Sequence, residues 1–270
     1  MPLARRDTPR SSSPQEELRA TLAEHLDELR TRGIRVVIAI MISMVLSWIF
    51  VWPTYDFIDQ LVRSSVPKGL VYKEVTTHIT EPFMLQIKLS FYLGLILALP
   101  YAVSQIWAFV APGLKPTERK PVLMLTPVCL VLFLLGLTIG WFTLPAMFQW
   151  FFVYAQAGGF EVYQEPGKMI MLVVKTLLGF GLAFQMPVVV FFLTRLGLVT
   201  PETLRTYWKH VVVSNIIVAA IITPGSDPIS LAAMAVPIIA LFYLGVFAAT
   251  WSMKSAGRDA ALNQLDAPPC

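Results

Sequence analysis

The sequence predicts an all-α membrane protein: six transmembrane helices in a concave bundle, the last two short. Three observations predict it. The 270-residue chain is 56% hydrophobic and 14% charged, with mean hydropathy +0.66. Soluble domains are usually about 45–50% apolar and about 25% charged. Six apolar segments recur along the chain, at about 36–52, 83–107, 122–150, 169–194, 211–222 and 229–251. No long polar linker separates them, so one bundle is expected rather than two domains.

Residues 1–21 are polar and rich in Arg, Ser and Pro, and read as a disordered cytoplasmic tail. The first apolar segment starts too far in for a cleavable signal peptide, and Arg5-Arg6 has no apolar stretch within reach. Residues 22–251 form the membrane domain, and 252–270 a cytoplasmic tail. A spanning helix needs about 20 apolar residues for a roughly 30 Å hydrocarbon core, and the first four segments are long enough. The fifth has only twelve residues, about 18 Å as a helix. Either residues 204–210 lengthen it or the bilayer thins there. Thr223-Pro224-Gly225-Ser226-Asp227-Pro228 then makes a tight turn, so the last two segments form a helical hairpin. The loop 53–82 is long, and its residues 66–72 are expected to pack as a cap. Pro82, Pro100, Pro127, Pro145, Pro187 and Pro237 lie in or beside apolar segments. There they bend helix axes, which is why a concave bundle is expected.

Lys and Arg concentrate before segment one, after segments two and four, and in the C-terminal tail. The positive-inside rule therefore places both termini in the cytoplasm. Most tryptophans fall near segment ends, as interfacial anchors do. The formal charge of +4 fits topology and anionic-lipid contact better than nucleic-acid binding.

Two charged patches fall on one side of this topology. One is His25-Leu26-Asp27-Glu28-Leu29-Arg30-Thr31-Arg32, and the other runs from Phe109 to Lys120. Glu28 is either a surface ion pair with its neighbouring arginines, worth about 0–1 kcal/mol, or an acceptor for an incoming guanidinium. Glu118 beside Arg119 and Lys120 has the same two readings. Guanidinium and carboxylate pair bidentately in fixed geometry, so two such acceptors could read two arginines. Gln185, deep in segment four, is either interhelical packing glue or a site for a polar group of a partner helix. Lys88 and Lys175 read as snorkelling to the interface.

Other classes fare worse. A secondary transporter would want an acidic residue in mid-membrane or an inverted repeat, and neither is visible. Nucleotide-binding, zinc-protease and nucleophile-elbow motifs are absent, so no enzyme and no cofactor is expected. Cys129 and Cys270 have no partners at metal-ligand spacing, and no metal is expected. His25, His78 and His210 are dispersed and read as polar surface residues.

The chain resembles the TatC family, the multispanning subunit of the bacterial twin-arginine protein translocase, from about Leu22 to Trp251. The resemblance rests on His25-Leu26-Asp27-Glu28-Leu29-Arg30-Thr31-Arg32, on Thr80-Glu81-Pro82-Phe83 followed by Lys88, and on Phe109-Val110-Ala111-Pro112-Gly113-Leu114 with Glu118-Arg119. Ala183-Phe184-Gln185-Met186-Pro187 and Thr223-Pro224 with Asp227 complete it. It implies that Glu28 and Glu118 receive the twin arginines of a signal peptide, with Arg30, Phe109, Pro112, Leu114 and Arg119 beside them. It also implies docking of single-span partners of the TatA/TatB type at Gln185 and Thr223, self-association in a larger complex, and transport driven by the proton-motive force in the bacterial inner membrane. Many family members carry a glutamate where this chain has Gln185.

Overall fold

The computed structural model describes residues 14–110, 116–195, 199–222, 231–232, 234–247 and 250–251. Among these residues the fold is all-helical apart from one small strand pair. Helix α1 (Pro14–Ser64) runs for 51 residues, far beyond its apolar segment. It starts inside the stretch read as a disordered tail. Proline suits a first helical turn, and Glu16, Glu17, Leu18, Arg19 and Ala20 are strong helix formers. At its other end α1 passes through Pro53, where a loop was expected. The helix continues because Val51, Ile58 and Val62 lie on one face and are at most 2% exposed.

Residues 65–80 then lead to α2 (Glu81–Val110) and α3 (Pro116–Ala157). Strand β1 (Tyr72–Glu74) pairs in parallel with β2 (Val162–Gln164), Lys73 opposite Tyr163. Composition alone did not announce this pair. It holds the cap expected around residues 66–72: Gly69 takes φ +90° in a turn closed by Leu70 N–H on Pro67 O, a conformation that favours glycine. Gln156 of α3 donates to the Lys68 carbonyl and ties the cap down.

The fourth span divides into α4 (Pro166–Ala183) and α5 (Met186–Arg195). After α6 (Pro201–Thr206) come α7 (Trp208–Ile222) and α8 (Met234–Phe247). The stretches His25–Ser64, Glu81–Ile106, Pro127–Ala157 and Pro166–Thr194 are long and apolar enough to cross a membrane. Each contains one of the first four apolar segments or nearly all of it. Helix α7 begins at Trp208, which lengthens the fifth segment to 15 residues, about 22 Å. The turn 223–228 lies outside the described residues. Val37, Met41, Val45 and Ile49 of α1 are all more than half exposed, a stripe suited to lipid rather than water.

Among the described residues, two of the buried clusters tie the long helices together. Near β1 and β2, Val51, Leu89, Leu144, Phe148, Ile170 and Val173 from α1 to α4 form one core. Phe180, Phe184, Ala219, Met234 and Ile238 join α4, α7 and α8 in another. Helices α1 and α2 pack antiparallel, with their backbones close together at Gly94. A Cβ there would lie 2.6 Å from the Met44 backbone nitrogen, so only glycine permits this approach.

The division of the fourth span is local chemistry. Pro187 has no N–H and cannot continue the ladder. The chain closes α4 instead with Gln185 N–H on Leu182 O, and the Gln185 carbonyl accepts from Val188 and Val189. The Gln185 side chain is buried. Its Nε2 donates to the Cys129 carbonyl of α3 at 3.0 Å, while Oε1 has no hydrogen-bond partner among the described residues.

Two outcomes follow from this packing. Gly94→Leu forces α1 from α2 and should cost about 1–3 kcal/mol or more, read as a lower thermal midpoint in detergent. Gln185→Leu removes the bond to Cys129 and should cost about 0.6–1.7 kcal/mol. The Gln185 value would be measured by unfolding of the reconstituted protein, and an unchanged midpoint would show that the bond does not hold α3 to α4.

Candidate functional site

The antiparallel run of α1 and α2 brings the His25 region of one against the Phe109 region of the other. His25, Glu28 and Arg32 are spaced three and four apart, so they share a helix face. Glu28 Oε1 accepts from Arg32 Nε at 3.0 Å and from Arg32 Nη2 at 2.6 Å. Arg32 Nη1 reaches across to Gln105 Oε1 of α2 at 3.3 Å. His25 Nδ1 lies 3.8 Å from Glu28 Oε2, and its ring stacks on Phe109 at 4.3 Å between centroids, 16° from parallel.

This constellation can do one thing readily: present a carboxylate to a cation. Arg32 occupies one oxygen of Glu28 and leaves lone pairs on Oε2. The Glu28 and Arg32 side chains are 32% and 21% exposed, so water and an incoming group both reach the pair. Among the described residues the cluster has no nucleophile poised beside a base.

The residues picked out in the sequence fall in different places. Glu28 and Phe109 come together, joined through His25. Arg30 is exposed. Glu118 and Arg119 lie in the first turn of α3, with side chains outside the described residues. Pro112, Leu114 and Thr223 are also outside them. Gln185 sits apart from Glu28, at the α4–α5 break in the middle of the fourth span. Gln105 and His25 were missed as site residues. The i, i+3, i+7 spacing of His25, Glu28 and Arg32 was a usable signal for His25. Nothing in the sequence pointed to Gln105, whose contact is across helices.

A second charged cluster sits at the opposite end of the bundle. Arg63 pairs with Asp59 at 2.6 Å and with Glu74 of β1, and the Tyr55 hydroxyl donates to Glu74 at 2.9 Å. Burial, with Asp59 close by, holds the Glu74 carboxyl above its ordinary range. Burial also pushes the Tyr72 hydroxyl up to about 12. These groups fasten the strand pair to α1.

With this geometry in view, similarity to known proteins is specific. The family model for Sec-independent protein translocase protein (TatC) matches residues 24–237. The TatC protein of Carboxydothermus hydrogenoformans is 38% identical over 232 residues, covering 85% of this chain and 92% of the relative. That of Escherichia coli (strain K12) is 30% identical over 226 residues, covering 84% and 86%. A crystal structure of the twin-arginine translocase receptor TatC superposes with a TM-score of 0.74 at 30% identity. It covers 85% of this chain and 99% of that one. Since the match takes in both the α1–α2 site and the four long spans, the chain belongs to the TatC family of Sec-independent protein translocase proteins.

Proposed function

We propose that this chain is the receptor subunit of a twin-arginine translocation system. It binds twin-arginine signal peptides and, with single-span partners of the TatA/TatB type, moves folded proteins across the bacterial cytoplasmic membrane. The proton-motive force drives the movement without nucleotide. The observation that carries this reading is Glu28: a water-accessible carboxylate at one end of the bundle, whose Oε2 accepts no hydrogen bond among the described residues, flanked by the His25–Phe109 stack. Helix α2 ends at Val110 and α3 begins at Pro116, so Glu118 belongs to the same end. Two carboxylates at one end suit a ligand with adjacent guanidinium groups.

The deciding experiment is binding of a labelled twin-arginine peptide to the reconstituted protein. Glu118→Ala and Glu28→Ala should each weaken it, Glu118→Ala by roughly tenfold or more, as loss of a charge-assisted bond implies. Gln at position 118 should do less harm than Ala. A twin-lysine peptide should bind less well, because lysine cannot pair bidentately. Unchanged binding in both single variants and in the double would leave the carboxylates as charge balance only.

Topology is part of the same reading. The Lys and Arg bias supports cytoplasmic termini and a cytoplasmic Lys115–Lys120 loop. The end carrying β1 and β2 then faces outward. Reporter fusions at Gly69 and Gly159 should score outside the cytoplasm, and a cytoplasmic score at Gly69 would reject this orientation.

A further inference from the structure

Helices α2 and α4 both start at the end of the bundle that carries β1 and β2, and they run side by side from there. Their first turns are adjacent: a Cβ on Gly167 would lie 3.3 Å from Glu81 Oε1. Between them is a cavity of about 500 Å³ lined by Glu81, Lys88, Glu165, Lys168 and Lys175. The charges fall at two depths. Glu81, Glu165 and Lys168 form a rim that is already satisfied. Lys168 pairs with Glu165 at 2.8 Å, Thr77 Oγ1 donates to Glu165, and Thr77 N–H donates to Glu81.

Lys88 and Lys175 are the deeper pair. Each lies seven residues further along its helix than Glu81 or Lys168 respectively, about 10 Å down the axis. Both are inside stretches apolar enough to cross the membrane. Neither makes an ion pair among the described residues. The Lys175 ammonium has the Tyr92 ring at 5.9 Å, and Lys88 is exposed. The cavity walls between the two depths are apolar: Met84, Leu85, Met171 and Leu172.

Two ammonium groups sharing one cavity below the rim repel each other and are costly in lipid unless an anion joins them. The surroundings determine which anion. The cavity borders hydrocarbon, its walls suit an acyl chain, and its lysines suit a phosphate. We infer that the α2–α4 groove holds one anionic phospholipid of the adjacent leaflet, its phosphodiester between Lys88 and Lys175 and its glycerol and upper acyl carbons along Met84 and Met171. The net positive lining favours an anionic headgroup over a zwitterionic one. This site is separate from the Glu28 cluster and does not depend on signal-peptide binding.

The test is native mass spectrometry of the full chain released from detergent after incubation with phosphatidylglycerol. The wild type should retain one lipid through delipidation steps that strip the rest. The Lys88→Gln/Lys175→Gln double variant should lose it, with apparent affinity at least tenfold lower. Lys88→Arg/Lys175→Arg should retain it, and Lys68→Gln, outside the groove, should match the wild type. Glycerol phosphate, the soluble counterpart of the headgroup, should not displace the lipid. Equal retention by the glutamine double variant would overturn the inference, as would displacement by glycerol phosphate, which would mark a site for a soluble anion. Should the glutamine double variant fail to fold, single Lys88→Gln against the arginine pair decides. Weaker retention in the single variant alone supports the site, and no difference rejects it.

Discussion

The antiparallel contact of α1 and α2 is the constraint on which the rest depends. Gly94 lets the two backbones nearly touch at Met44, and that approach fixes the register along both helices. Toward one end, Val51 meets the Leu85 and Leu89 side of the core. Toward the other, Arg32 meets Gln105 and His25 meets Phe109. A side chain larger than hydrogen at position 94 would shift each of these pairings together. Two long rods in contact have few ways to adjust locally, since packed interiors resist continuous deformation. The geometry around Glu28 is therefore set partly by a glycine far along the helix from it.

Hydropathy made the spans legible, because lipid demands long apolar helices and admits little else. It did not show where α1 would stop. Pro53 looked like a boundary, yet proline ends a helix only where the lost bond is not outweighed by packing, and Ile58 and Val62 continue the buried face beyond it. The β1–β2 pair was harder to see. Its two strands have three residues each and lie far apart in sequence. Val71-Tyr72-Lys73-Glu74-Val75 and Val162-Tyr163-Gln164 are short and show no apolar–polar alternation, so period two gives no signal there. At the site, contacts along one helix could be read from spacing, as with Glu28 and Arg32. Contacts between helices, such as Gln105 with Arg32, could not.

The α4–α5 break shows how a membrane interior handles a broken ladder. Proline at position 187 removes a donor, and the chain responds with tighter bonds on either side of Gln185. A long amide at that point can then turn inward and bond to another helix. Glutamine suits this because its amide nitrogen donates to Cys129. An ionised glutamate has no donor to offer that carbonyl and would bear the cost of charge in lipid as well. The residue at this position thus decides whether the break is closed on α3 or left seeking a cation or a proton. The unpartnered Oε1 of Gln185 is the remaining acceptor there, and a hydrogen-bond donor from a neighbouring helix would complete it.

The pairing of Glu28 with Arg32 bears on how a cation could bind. An internal arginine would block the site if the resident pair were strong. The exposure of both side chains argues otherwise, because a partly exposed ion pair contributes only about 0–1 kcal/mol. An incoming guanidinium that replaced Arg32 would have little to overcome, and Arg32 would keep its contact with Gln105. One that used Oε2 would meet no competition from Arg32, although His25 stands 3.8 Å away. The two bonds from Arg32 hold the carboxylate in a fixed orientation. The stacked His25 and Phe109 rings give a bound guanidinium a flat neighbour, the kind of surface on which arginine packs better than lysine. Under the proposed function, that flat neighbour would favour arginine by shape as well as by charge.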